Sequence, residues 1–231
     1  MADATLKNTL IAAGKVLVAA GQGDFTRGHI SVRAPKKPSV FYMKPHSVGL
    51  DEITSANILT IGLDGEVVAG KSRRHSEVYI HSEIYKARPD VNCVIHSHPP
   101  YITALSATTR PLRAYNQGGA LFRGALGHYT DTIRLIRTQE MGAGVARALG
   151  RHRAVLMKNH GIAVACASIE EAVVSAIMLE DAARVQMIAE AVGELAPEFS
   201  NDDIAGLRDQ LSKPDQFAVN FNYLVRRLKK R

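Results

Sequence analysis

The run VNCVIHSHPP at residues 91–100 carries two imidazoles, His96 and His98, two positions apart at the end of an apolar segment. On a β-strand, residues i and i+2 point to the same face, so the two rings project together. Two neutral imidazoles on one face can grip a divalent transition metal once further ligands arrive; without those the pair is simply two solvent-bonded histidines. A second apolar run, AVLMKNHG at 154–161, also ends in a histidine, His160, followed by Gly161. Three histidines thus come to the ends of two buried strands, where α/β proteins keep their chemistry. A carboxylate stands at Glu77, in HSE at 75–77, where a helical pattern opens just before the first of these strands. If that helix packs on the sheet, Glu77 can serve as fourth ligand or as proton carrier. If not, it is a surface residue favoured by the helix dipole.

The remaining pattern must supply the frame that brings these groups together. Residues 6–20 have apolar positions at helical spacing and stop at GQG, 21–23. Short β runs follow at 30–33, 40–43, 58–61 and 66–68, the last two joined through Asp64-Gly65, a hairpin signal. A helix is predicted over 76–87, closed by Arg88-Pro89, then the strand carrying His96. A short helix begins at Pro99-Pro100, and another is predicted over 132–149 with Gly150 as its exit. The strand reaching His160 turns at Gly161 into a partner over 162–166. Ser168 with Glu171 forms a capping box that opens a long helix to about residue 191. A looser segment leads to a helical C-terminal region. No internal repeat or linker divides the chain, so residues 1–231 read as one α/β domain with mixed strands and helices on its faces.

At 231 residues, 46% hydrophobic and 22% charged, the chain can bury a full core. No apolar run approaches the roughly 18 residues of a membrane span, and the N-terminus has no secretory pattern. Cys93 and Cys166 each sit in an apolar strand pattern, which fits reduced thiols in a cytoplasmic protein. The formal charge of +7 is partly concentrated in VRRLKKR at 225–231. A basic run there suits a helix end, and no nucleic-acid-binding signature accompanies it. The balance fits a small anionic substrate rather than nucleic acid or a membrane.

The order of these pieces resembles the class II aldolase/adducin family, the group of L-fuculose-phosphate aldolase and L-ribulose-phosphate 4-epimerase. The resemblance runs from about residue 6 to 191. It is carried by GDFTRGHISVR at 23–33, Ser76-Glu77, RPDVNCVIHSH at 88–98 and KNHG at 158–161. It implies a three-layer α/β/α fold around a central, mostly antiparallel mixed sheet. It also implies one divalent ion per subunit on His96, His98 and His160, with zinc or manganese favoured and iron(II) or cobalt(II) as alternatives. The carboxylate matching Glu77 would act as ligand and acid/base group. Members are typically tetramers with active sites between subunits, so residues around 115–123, including the apolar and glycine-rich 118–122, are expected to reach a neighbour's site.

Three departures bear on the reaction. Phosphate-handling members carry small polar residues where this chain has His29, His46 and His75. Ser47 and Ser76 remain beside them as candidate substrate contacts. The aldolase's catalytic tyrosine falls at about Gln117, with Tyr115 two residues away. Imidazoles in place of a phosphate cradle suit a carboxylate or phenolic oxygen, by hydrogen bonding and by carrying charge when the anion is present. One of the three could instead supply the proton that replaces the leaving carboxylate. The favoured expectation is a metal-dependent lyase that decarboxylates a hydroxylated aromatic or heteroaromatic (di)carboxylic acid through a stabilised enolate or carbanion. Aldol cleavage or epimerisation of a small hydroxy acid or sugar phosphate uses the same machinery. A metal-free, adducin-like interaction module is the alternative of another class.

Overall fold

The computed structural model describes residues 3–228; Lys229, Lys230 and Arg231 of the basic tail lie outside that range. Strands β1 (His29–Arg33), β2 (Val40–Met43), β3 (Leu59–Gly62), β4 (Val67–Ala69), β5 (Cys93–Ser97), β6 (Leu126–Tyr129), β7 (Ala154–Met157) and β8 (Gly161–Cys166) form one sheet. Its order is β4-β3-β2-β1-β5-β8-β7-β6. Every neighbouring pair is antiparallel except β6 and β7.

Alternation along the strands feeds two cores. Ile30, Val32, Cys93, Ile95, Ile162 and Val164 pack into the larger one, beneath α1 (Asp3–Leu17), α3 (Pro100–Ser106), α6 (Ile169–Val192) and α8 (Pro214–Leu228). Val94, Ala163 and Ala165 turn the other way, toward α2 (Val78–Ala87) and α5 (Gln139–Leu149). The sheet is therefore covered on both faces, which is why β5, β7 and β8 are buried at every position. The three-layer expectation holds.

The local signals act as anticipated at several ends. Ser168 caps α6, its hydroxyl accepting from the Glu171 amide at 3.1 Å. Gly21 takes φ +81° where the first helix unwinds. Two expectations need correction. The helix placed over 132–149 begins only at Gln139, capped by Thr138; residues 131–138 run as an irregular segment. The stretch 118–122 needs no neighbour to cover it, because it forms α4 (Gln117–Phe122) and is buried within this chain against α6 and α7 (Asn201–Leu211). Gly118 lies so close to α6 that a Cβ there would stand 2.7 Å from the Met178 carbonyl oxygen. Among the described residues no helix is long and apolar enough to cross a membrane, and both cysteines are buried free thiols.

Candidate metal centre and its cavity

Strand parity decides which side chains meet. On β5, Val94 and His96 face α2, and His98 continues the same side just past the strand end. On β1, His29 lies directly opposite His96 in the antiparallel register. Helix α2 approaches that face with Glu77 at its N-cap. From the far side, the tight β7–β8 turn delivers His160. Gly161 makes the delivery possible: a Cβ there would collide with the Ser97 carbonyl oxygen and stand 2.8 Å from His98 Cδ2.

The result is a cluster of three imidazoles, His96, His98 and His160, with ligand atoms within 4.8 Å of one another. His96 Nδ1–H donates to the Ile162 carbonyl at 2.9 Å, and His98 Nδ1–H donates to Asp24 Oδ2 at 2.8 Å. Each bond fixes a ring and leaves Nε2 as the free nitrogen, the arrangement that metal-ligating histidines use. His96 Nε2 is buried with no hydrogen-bond partner among the described residues. A buried orphan nitrogen is unfavourable unless something occupies it, so the residues fit a cation. Burial, with the neighbouring imidazoles, holds His96 well below the usual histidine range and His160 down to about 4. Burial also lowers His98, against the pull of Asp24. All three are therefore neutral near pH 7, the form a metal binds.

Glu77 closes the cluster. Its Oε1 accepts from the Ile136 amide at 2.9 Å and lies 3.5 Å from His160 Nε2; its Oε2 is 3.8 Å from His96 Nε2. Only 2% exposed, it has its pKa raised by burial, partly offset by the Ile136 hydrogen bond and Arg137.

In front of the cluster opens a cavity of about 400 Å³. His46, His75 and Ser76 line it, as do Asp24, Thr26 and Arg27 from the loop before β1. Ile133, Leu135 and Arg137, alternate residues of the irregular 131–138 segment, line it too. Ile133 is 63% and Leu135 42% exposed, an apolar contribution to an otherwise polar lining. Ser47 is exposed beside the rim, its hydroxyl 2.6 Å from His46 Nδ1. The non-glycine residues with positive φ, Phe25, Ser47 and Asn159, all lie in the loops around this cavity. Such backbone strain, about 1–3 kcal/mol each, gathers where a site needs a particular loop shape.

The remaining candidates are placed differently. His29 is fully buried and does not line the cavity; it backs Glu77, with Nε2 3.9 Å from Glu77 Oε2. Tyr115 and Gln117 stand at the start of α4, away from the cavity. His75 is pushed down to about 3 by burial and by Lys44 and His46, and His46 is lowered too. These rings are thus neutral near pH 7, and the cations nearby are Arg27, Arg137 and Lys44. Lys44, fully buried, donates to the Thr26 and Pro45 carbonyls, and burial draws its pKa down to about 8. Arg27 pairs with Asp24 at 2.6 Å, whereas Arg137 has no ion pair among the described residues.

Sequence reasoning missed Asp24, Arg137, Lys44 and His81. Asp24 and His81 lay in or beside the quoted motifs, and His81, four residues after Glu77, could have been placed on the sheet-facing side of α2 by helical spacing. Arg137 was hidden by the helix expected across it.

Comparison with known proteins gives the same family as the sequence motifs. The family profile described as Class II Aldolase and Adducin N-terminal domain matches residues 8–187. The Meiotically up-regulated gene 14 protein of Schizosaccharomyces pombe is 31% identical over 81% of this chain and 75% of its own. A 3,4-dihydroxyphthalate decarboxylase of Arthrobacter keyseri is 28% identical over 90% of this chain and 88% of its own. The structure of an L-fuculose 1-phosphate aldolase from Glaciozyma antarctica superposes with a TM-score of 0.87 at 27% identity, covering 98% of this chain and 89% of that one. With the family model matched over residues 8–187 and relatives alike over most of its length, the chain belongs to the class II aldolase/adducin family.

Proposed function

We propose that this protein is a divalent-metal-dependent carbon–carbon lyase that decarboxylates a hydroxylated aromatic or heteroaromatic acid carrying a second carboxylate. The observation that carries the reading is the cavity's composition: a metal-fit cluster and two neutral histidines together with apolar Ile133 and Leu135 and with Arg137. A planar ring suits that apolar pair, and about 400 Å³ suits a single-ring ligand. Similarity to a named decarboxylase over 90% of the chain supports the same reading.

His96, His98 and His160 would hold the ion, with Glu77 joining them only while it is ionised; the ion when bound would polarise neighbouring substrate oxygens and stabilise negative charge developing on carbon. His46 and His75 hydrogen-bond the second carboxylate, Ser47 and Ser76 assist at the rim, and Arg137 supplies the countercharge. The carbon–carboxylate bond breaks with its electron pair left on the ring carbon, and a proton must replace the departing carbon dioxide. Glu77 is suited to deliver it, because burial favours its protonated form. His29 lies behind Glu77 and acts through it. Tyr115 and Gln117 are assigned to the cavity of a neighbouring subunit in a homotetramer.

A second reading, aldol cleavage of a small hydroxy acid or sugar phosphate, is favoured by the 0.87 TM-score to an aldolase. An interaction module without metal leaves the orphaned, buried His96 Nε2 unexplained. The test is a screen of metal-loaded protein against hydroxylated aromatic dicarboxylates and sugar phosphates, reading carbon dioxide and aldehyde release. Carbon dioxide from the acids, abolished by combined His46→Thr and His75→Ser with metal retained, is the expected outcome. Efficient aldehyde release with no action on the acids would replace it with the aldolase reading.

A further inference from the structure

Beneath the metal cluster, the same parity that aims His96 at α2 aims His29 and Ser31 of β1 there too. Helix α2 answers with His81 and Tyr85, one turn apart and so on one face. His29 Nδ1 lies 2.6 Å from His81 Nε2, His81 Nδ1 lies 2.6 Å from Ser31 Oγ, and Ser31 Oγ lies 2.8 Å from the Tyr85 hydroxyl. That hydroxyl reaches the Asn92 carbonyl at 3.4 Å. All four side chains are at most 1% exposed, so no solvent competes for these bonds.

The chain has a preferred direction. A carbonyl only accepts, so Tyr85 donates outward to Asn92, Ser31 donates to Tyr85, His81 Nδ1–H donates to Ser31, and His29 Nδ1–H donates to His81. Every hydrogen then has an acceptor, and the one unpaired atom is the lone pair of His29 Nε2. In the opposite direction Nε2 would carry the hydrogen, equally beyond hydrogen-bond reach of Glu77 Oε2 at 3.9 Å, and the Asn92 bond would be lost as well, the less favourable outcome. His29 Nε2 has no hydrogen-bond partner among the described residues and faces Glu77 Oε2 at 3.9 Å.

We propose that His81 is a positioning residue: through its bonds to His29 and Ser31 it fixes His29 as the Nδ1–H tautomer, so that the nitrogen facing Glu77 is the bare Nε2. The proposal rests on the reading of Glu77 as the acid/base group. His29, Glu77 and His96 also lie close enough to hold an ion. His96, however, has one free nitrogen, since Nδ1 is committed to Ile162, and the three-histidine cluster uses it.

The test combines nitrogen NMR of imidazole-labelled, zinc-loaded protein with kinetics on 3,4-dihydroxyphthalate as probe acid, for wild type, His81→Leu, His81→Gln and Ser31→Ala. In wild type, His29 is expected to show hydrogen on Nδ1 and a bare Nε2. His81→Leu should lose that signature and ~10- to 100-fold in kcat, with KM held within about twofold and zinc content unchanged. His81→Gln, which keeps an acceptor near the Nε2 position, should restore most of kcat. Hydrogen or zinc on His29 Nε2 in wild type overturns the proposal, as does unchanged kcat in zinc-loaded His81→Leu. If His81→Leu does not fold, Ser31→Ala must show the same direction of change at His29, and an unaltered tautomer with unaltered kcat there overturns it. If wild type ignores the probe acid, the substrate assignment fails and the NMR result alone decides the role of His81.

Discussion

Glu77 is held by groups that pull in different directions, and that tension makes it useful. The Ile136 amide stabilises its ionised form, while burial stabilises the protonated one and dominates. A carboxylate that can be either is what a proton carrier requires. Glu77→Gln keeps the shape and the Ile136 bond but removes the transferable proton. Turnover is expected to fall by ~10²-fold or more with metal content largely kept; near-normal turnover would return Glu77 to a structural role. At this scale the three histidines and Glu77 were legible because a two-residue spacing and a helix start are local facts. Asp24 was not, since its bond to His98 joins residues 74 apart in the chain. Nor was the chemical state of His46 and His75. Their residue type says they can carry charge, and only burial beside Lys44 says that they do not.

The elements that aim these groups are β1, β5 and the β7–β8 hairpin. Their apolar runs and turn residues stood out, and β1 and β8 formed within a residue of expectation, whereas β7 ends at Met157, so that His160 belongs to the turn and not to the strand. The segment 131–138 did not stand out, because Thr132, Leu135 and Ile136 mimic helical spacing. A tertiary contact overrides that pattern: the Ile136 amide turns to Glu77, and the helix starts at the Thr138 cap, whose hydroxyl accepts from the Met141 amide at 3.2 Å. Edge strand β6, carrying glycine and histidine within four residues, has no apolar alternation to announce it. The hairpin offers the sharpest test at this scale. Gly161→Ala must push β8 from the end of β5, an overpacking that costs about 1–3 kcal/mol, and must shift His98. A lower melting temperature together with weaker metal binding is expected. A variant that matches wild type in both would show that the close approach is not required.

For the molecule as a whole, the site is a store of buried neutral histidines. His75 and His81 are held near 3 and His160 near 4, with His29 and His96 also lowered, all chiefly by burial. In the unfolded chain each titrates near 6.5. Below that value the unfolded state binds more protons, so metal-free stability should fall as pH drops from about 6.5 through 4 toward 3. Glu77, whose pKa is raised, works in the opposite sense above 4.5 but is a single group. Thermal unfolding of metal-free protein should therefore give melting temperatures that decline steadily from pH 7 to 4. A flat profile would mean that these rings are not buried as described. With 118–122 buried internally, the exposed apolar residues left for subunit contact include Ile188, Val192 and Phe199, at 55%, 84% and 78% exposure.

Everything above depends on His96, His98 and His160 forming one metal centre. The direct measurement is elemental analysis of purified wild type and His96→Ala after equilibration with zinc or manganese and removal of excess. One ion per chain in wild type, and near none in His96→Ala at unchanged secondary structure, is the expected result; equal metal content in the two proteins would contradict it.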